Sequence, residues 1–94
     1  MVSNQYKTKI SIELHTLARM QDYGISAAEV EEVLMTGVEF PAKKGRFAKF
    51  KVFPFNRTIR GRTYQQLRLE VIYVIERDQI FTVTIYARYG VWED

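Results

Sequence analysis

Residues 66–88 read QLRLEVIYVIERDQIFTVTIYAR. From Gln66 to Glu76 the chain alternates, with Leu67, Leu69, Val71, Tyr73 and Ile75 on one side and Arg68 and Glu70 on the other. A period of two marks a strand with one buried face. Arg77-Asp78-Gln79 offers a tight turn. Beyond it, Phe81, Val83, Ile85 and Ala87 are expected to face the core while Thr82, Thr84, Tyr86 and Arg88 face away. Two such strands joined by so short a turn pair as an antiparallel hairpin. If the pairing is symmetric about the turn, Glu70 stands opposite Tyr86 and Arg68 opposite Arg88.

Working outward, residues 46–53 alternate basic and apolar groups and predict a further strand, which Pro54 ends. Asn56 to Gly61 then read as a basic loop. Before Gly37 the period is helical. Ser11 is a plausible N-cap; Ile10, Leu14, Leu17 and Met20 recur at helical spacing on one side, and Gly24 stops this first helix. The second opens on a capping box, Ser26-Ala27-Ala28-Glu29, with Ile25 and Val30 at the positions of a hydrophobic staple. Val30, Val33 and Leu34 form its apolar side and Gly37 ends it. The expectation is one α+β domain over residues 1–94. Two N-terminal helices pack on one face of a three- to four-stranded antiparallel sheet, which leaves the other face free.

Composition sets the setting. The sequence has 94 residues, 47% of them hydrophobic, enough for a single core and too many for a disordered chain. With no cysteine, disulfides and thiolate metal sites are excluded and a reducing, cytoplasmic location is expected. The longest apolar run, Val71 to Ile75, is far short of the ~20 residues of a membrane helix. The N-terminus lacks the apolar segment of a signal peptide.

The net charge of +3 hides an asymmetry. Residues 1–40 carry three basic and six acidic groups, residues 41–94 eleven basic and five acidic. Between Pro41 and Leu69 lie nine basic residues and no acidic one, interleaved with Phe47, Phe50, Phe53, Phe55 and Tyr64. Cations neutralise phosphates and aromatic faces stack on unpaired bases, so RNA is the expected partner. The alternative is a basic face kept for solubility.

Phosphate-binding loops, dinucleotide fingerprints and serine elbows are absent, and one histidine without cysteine argues against zinc. Neither a metal nor another cofactor is therefore expected. Two polar groups remain. His15, Arg19 and Asp22 fall on one stripe of the first helix, opposite its expected apolar side, and His15 alone has an ordinary pKa suited to proton transfer near neutrality. The same stripe could equally be a solvated face with a weak Arg19–Asp22 pair. The second group is Arg68, Glu70, Tyr86 and Arg88 on the free face of the hairpin. Opposed arginines repel unless an anion sits between them, which suits either a phosphate or a salt-bridge cluster around Glu70.

His15-Thr16-Leu17-Ala18-Arg19-Met20, then Gly24-Ile25-Ser26, then Glu29-Val30-Glu31-Glu32-Val33, resembles a bacterial family of small domains of unknown function. That family opens with a His-x-x-x-Arg-Met helix, an Arg-Gly-Ile-Ser junction and a Glu-rich second helix, and closes with a β-meander. Tyr23 stands where it has the junction arginine. The family is grouped with the barnase/RelE-like fold, whose members include ribonuclease toxins of toxin–antitoxin systems. The resemblance implies a metal-independent endoribonuclease acting through attack of the ribose 2′-hydroxyl. His15 or Glu70 would be the base and Tyr86 or His15 the acid. Arg19, Arg68 and Arg88 would hold the phosphate, and Lys49 and Lys51 would guide the strand. An acidic antitoxin protein is the partner this implies; a homodimer through an edge strand is equally open. A non-catalytic RNA- or protein-binding module on the same fold is the alternative reading.

Overall fold

The computed structural model describes residues 9–91, the side chain of Ile59 excepted. The elements are β1 (Lys9–Ser11), α1 (Leu14–Tyr23), α2 (Ala27–Thr36), β2 (Val38–Phe40), β3 (Phe47–Ile59), β4 (Arg62–Glu76) and β5 (Gln79–Gly90). They form one five-stranded sheet in the order β1-β5-β4-β3-β2, in which β1 runs parallel to β5 and the other pairings are antiparallel. The α+β class stands. The expected three- to four-stranded antiparallel sheet with both helices on it does not: the sheet has five strands and is mixed.

Two short edge strands make the difference. β1 and β2 have three residues each, too few to show an alternating pattern. Ile10 and Ser11, expected at the start of the first helix, belong to β1. The helix begins at Leu14 after Glu13, whose side chain makes no capping bond. Its apolar side is also not the expected one, since Leu14 is 83% exposed and Leu17 39%, while Thr16 and Met20 are buried. The reason is where α1 lies. β1 pairs only with residues 79–81, and α1 runs beside the rest of β5. Glu13 N–H donates to Thr82 Oγ1 and Tyr89 O–H to the Tyr23 carbonyl, so helix and strand run in the same direction.

The second helix follows its sequence closely. Ser26 Oγ accepts from Glu29 N–H, and the Glu29 carboxylate accepts from Ser26 N–H, the reciprocal capping box. Gly24 takes a left-handed conformation (φ 70°) that lets the chain turn between the helices. At Gly37 a Cβ would lie 2.4 Å from the Val33 carbonyl oxygen and 2.7 Å from that of Phe50. Only glycine lets the helix end so close to β3. α2 lies on β3 and β4. Val30, Val33 and Leu34 join Met20, Ile25, Leu67, Leu69, Val71, Tyr73 and Ile85 in the core. Each fully buried aliphatic side chain contributes roughly 1.5–3 kcal/mol.

The third strand is longer than the sequence reading has it. β3 continues through Pro54 to residue 59, so the expected loop is the distal arm of a β3–β4 ribbon. Pro54 is tolerated there because β2 pairs only with residues 48–50 and leaves that side of β3 without a strand neighbour. A bulge between Pro54 and Arg57 contains Asn56 at φ 48°. In β5 a second irregularity, opposite Ile72 and Tyr73, shifts the phase. Ile80 and Thr82 therefore turn toward the core and Phe81 turns away, the reverse of the simple alternation. From Thr84 onward the expected faces are observed.

Candidate functional site

Beyond the bulge, Glu70 pairs with Tyr86 and Arg68 with Arg88, all on the sheet face that α2 leaves open. The two guanidiniums do not repel, because Glu70 Oε2 accepts from Arg68 Nε at 2.9 Å and from Arg88 Nε at 3.1 Å. The Glu70 side chain is 8% exposed, that of Arg68 23% and that of Arg88 60%. The carboxylate is thus sunk between its cations and one of them projects into solvent. The trio carries a net single positive charge, and both Nε atoms are committed to the carboxylate. A buried carboxylate with two charge-assisted bonds on one oxygen acts as an anchor.

Arg68 is held from below as well. Its guanidinium lies 3.7 Å from the Phe50 ring centroid and 5.7 Å from that of Phe40, and the two rings meet edge to face at 5.7 Å. This aromatic bed fixes the plane of Arg68 by cation–π attraction. Phe50 owes its place to the alternation in residues 46–53, which was legible in the sequence. Phe40 comes from β2, which was not.

The first helix supplies the rim. Arg19 donates from Nε to the Ile85 carbonyl at 2.9 Å and from Nη2 to Tyr23 O–H at 2.6 Å. Its guanidinium also sits over the rings of Tyr23 (5.2 Å) and Tyr86 (5.4 Å). The Arg19–Asp22 pair is not among its contacts. His15 Nε2 lies 3.1 Å from Thr84 Oγ1. Thr84 and Tyr86 are two residues apart on one strand face, about 7 Å along the strand. His15, Arg19, Glu70, Tyr86, Arg68 and Arg88 therefore form one continuous patch running from the α1 rim across β5 to β4. Thr84, which positions His15, carries no sequence signal of its own.

Lys49 and Lys51 stand apart from this patch. They pair with Val71 and Leu69 and so share the covered face. Lys49 Nζ donates to the Leu34 carbonyl at 2.7 Å, and Lys51 Nζ bonds Thr36 at 2.8 Å and pairs with Glu32. Both ammonium groups hold the C-terminal end of α2, where the helix dipole favours cations. The other exposed cations of the basic stretch are Lys43, Lys44 and Arg46 in the β2–β3 connection and Arg57, Arg60 and Arg62 on the ribbon arm.

Among the described residues, no three potential metal-ligating side chains are gathered in one place. Nor is any helix among the described residues long and apolar enough to cross a membrane. Residues 12–87 match the model of a family described as a domain of unknown function, DUF4258. The chain belongs to that family. No curated protein and no solved structure matches it. In this DUF4258 domain the matched region takes in both helices, β2 to β4 and most of β5. It includes His15, Arg19, Arg68, Glu70 and Tyr86 and ends one residue before Arg88.

Proposed function

We propose that the open sheet face binds single-stranded RNA and that its α1 rim cleaves the strand without a metal, as the barnase/RelE-like resemblance implies. The observation that carries this reading is the Arg68–Glu70–Arg88 trio. A buried carboxylate fixes two guanidiniums side by side, with Arg88 projecting beside the exposed ring of Tyr86. Preorganised cations next to an aromatic face suit a phosphate and its neighbouring base.

The proposed chemistry needs a proton acceptor, a proton donor and cations. The ribose 2′-oxygen attacks phosphorus and gives its proton to His15, the P–O5′ bond breaks, and the leaving oxygen takes a proton from Tyr86. The products are a 2′,3′-cyclic phosphate and a free 5′-hydroxyl. Arg19 and Arg88 stabilise the extra charge of the phosphorane. Glu70 acts as the anchor of the arginines, since its Oε2 is already committed to both. An acidic protein partner would suit so basic a surface.

That engagement of Glu70 also favours a second reading, a non-catalytic RNA-binding module, for which charge and aromatics suffice. A cleavage assay at low salt with EDTA separates the two. Under the first reading, wild-type protein cuts RNA, and His15→Ala or Tyr86→Phe lowers the rate by about 10²–10⁴-fold with folding intact. Intact RNA that is nonetheless bound leaves only the binding module, and RNA neither bound nor cut removes both readings.

A further inference from the structure

On the covered side of the sheet, away from the arginine trio, the α1–α2 junction and the ribbon arm enclose a groove of about 920 Å³. Tyr23, Tyr64 and Tyr89 line it, together with Arg60, Arg62 and Asp22. The rings of Tyr64 and Tyr89 lie 5.5 Å apart and inclined at 43°, forming one aromatic wall. Neither the Arg60 nor the Arg62 side chain makes a hydrogen bond or ion pair with the described residues. Two guanidinium-bearing residues and an aromatic wall therefore line one cleft of ligand size.

A second feature points the same way. Arg60 and Gly61 form the turn of the ribbon with φ values of 53° and 78°. Such turns need positive φ at both central positions, and asparagine, aspartate or glycine is the favoured first residue. A long side chain there costs roughly 1–2 kcal/mol of backbone strain. Local sterics would choose asparagine. Strained residues at ligand clamps are a known pattern, and here the strain carries a guanidinium to the mouth of the groove.

We propose that this groove is a nucleotide-binding site, with the base against Tyr64 and Tyr89 and the phosphate on Arg60 and Arg62. Asp22 faces the same space and supplies an acceptor for amino or imino hydrogens on the base edge. The ligand is either a free nucleotide or the terminal nucleotide of a strand; both present one base and one phosphate. The site touches the open-face rim only through Tyr23, which lines the groove and accepts from Arg19; its base and phosphate contacts are separate from the arginine trio.

The test is titration of the full chain with AMP, GMP, CMP and UMP, with inorganic phosphate, and with a short single-stranded RNA, followed by backbone amide NMR. Nucleotide addition should shift the amides of residues 22–24, 60–64 and 89 and leave 86 and 88 in place. Arg60→Asn should weaken nucleotide binding at least about fivefold while the melting temperature holds or rises, since the turn is relieved. Arg77→Asn, the matching change in the β4–β5 turn, should leave nucleotide affinity unchanged. A terminal-nucleotide site shows the same shifts with the oligonucleotide at lower concentration than with any mononucleotide; a free-nucleotide site shows the reverse order. Unchanged affinity in Arg60→Asn, inorganic phosphate binding as tightly as every nucleotide, or nucleotide shifts confined to the open face would each overturn the proposal.

Discussion

The two faces of this sheet use the same strands for opposite ends. On the covered face Leu67, Leu69 and Val71 are at most 1% exposed, and the cations there, Lys49 and Lys51, hold the end of α2. On the open face the same β4 presents Arg68 and Glu70, with Tyr86 and Arg88 of β5; the charged three bond one another, and Tyr86 meets α1 only through the Arg19 guanidinium over its ring. A residue's charge therefore says little about its role until its face is known. Of the nine cations between Pro41 and Leu69, two are structural by this criterion.

The contrast can be broken by substitution. The largest effect belongs to the covered face, where Leu69→Ala should lower unfolding free energy by about 2–5 kcal/mol in denaturant titrations. A cost well below 1 kcal/mol would mean that this face is not the core. Next is Gly37→Ala, where the added methyl meets two backbone oxygens; a loss of roughly 1–3 kcal/mol is expected, and a neutral result would show that α2 can shift away from β3.

Glu70 sharpens the comparison because it is, among the described residues, the buried charge of the open face. Glu70→Gln keeps the shape and leaves both guanidiniums without their anion. The expected loss is about 1–2 kcal/mol, reduced by the exposure of Arg88. High salt should narrow the difference between wild type and variant only slightly, since a buried pair is little screened. Full collapse of the difference at high salt would place the carboxylate in solvent.

The smallest effect is alkaline. Burial, and then the nearby Glu39, pushes the Tyr73 phenol above its ordinary value. Tyr89 is raised first by burial, then by Tyr23 and Glu29, against a lowering by Arg57. Both protons are held more tightly in the folded protein, so their contribution is full below the ordinary phenol pKa of about 10 and is lost as pH rises through the higher folded values. Tyr73→Phe should flatten the fall of stability above that pH, and an unchanged slope would assign the effect elsewhere.

The β4–β5 hairpin was legible from its alternation, but its turn does not fix the register at the site: Glu76 pairs with Gln79 around a two-residue turn, and the irregularity at Ile72/Tyr73 is what sets Glu70 opposite Tyr86. The α2 boundaries were legible for a similar reason, since Ser26 and Glu29 form a complete capping box. The short edge strands were not, and β1 was hidden because Ile10 also fits helical spacing with Leu14 and Leu17. The phase shift in β5 placed Thr82 inward through a bulge that no residue type announces. At the site, Glu70, Tyr86 and the two arginines could be grouped from sequence, whereas Arg19's contacts with Ile85 and Tyr86 depend on where α1 lies. Lys49 and Lys51 needed the register of β3 to be placed on the covered face.

Under the proposed function the open face, rather than the basic stretch as a whole, meets RNA. The direct measurement is the affinity for single-stranded RNA across a salt series, compared for wild type, Arg88→Ala and Lys51→Ala. Arg88→Ala should weaken binding about tenfold and make the salt slope shallower by roughly one ion contact, while folding is unchanged. Lys51→Ala should cost some stability at the end of α2 and leave RNA affinity within about twofold of wild type once fully folded. Equal losses from both substitutions, or a loss from Lys51→Ala alone, would contradict the division of the sheet into a structural face and an RNA face.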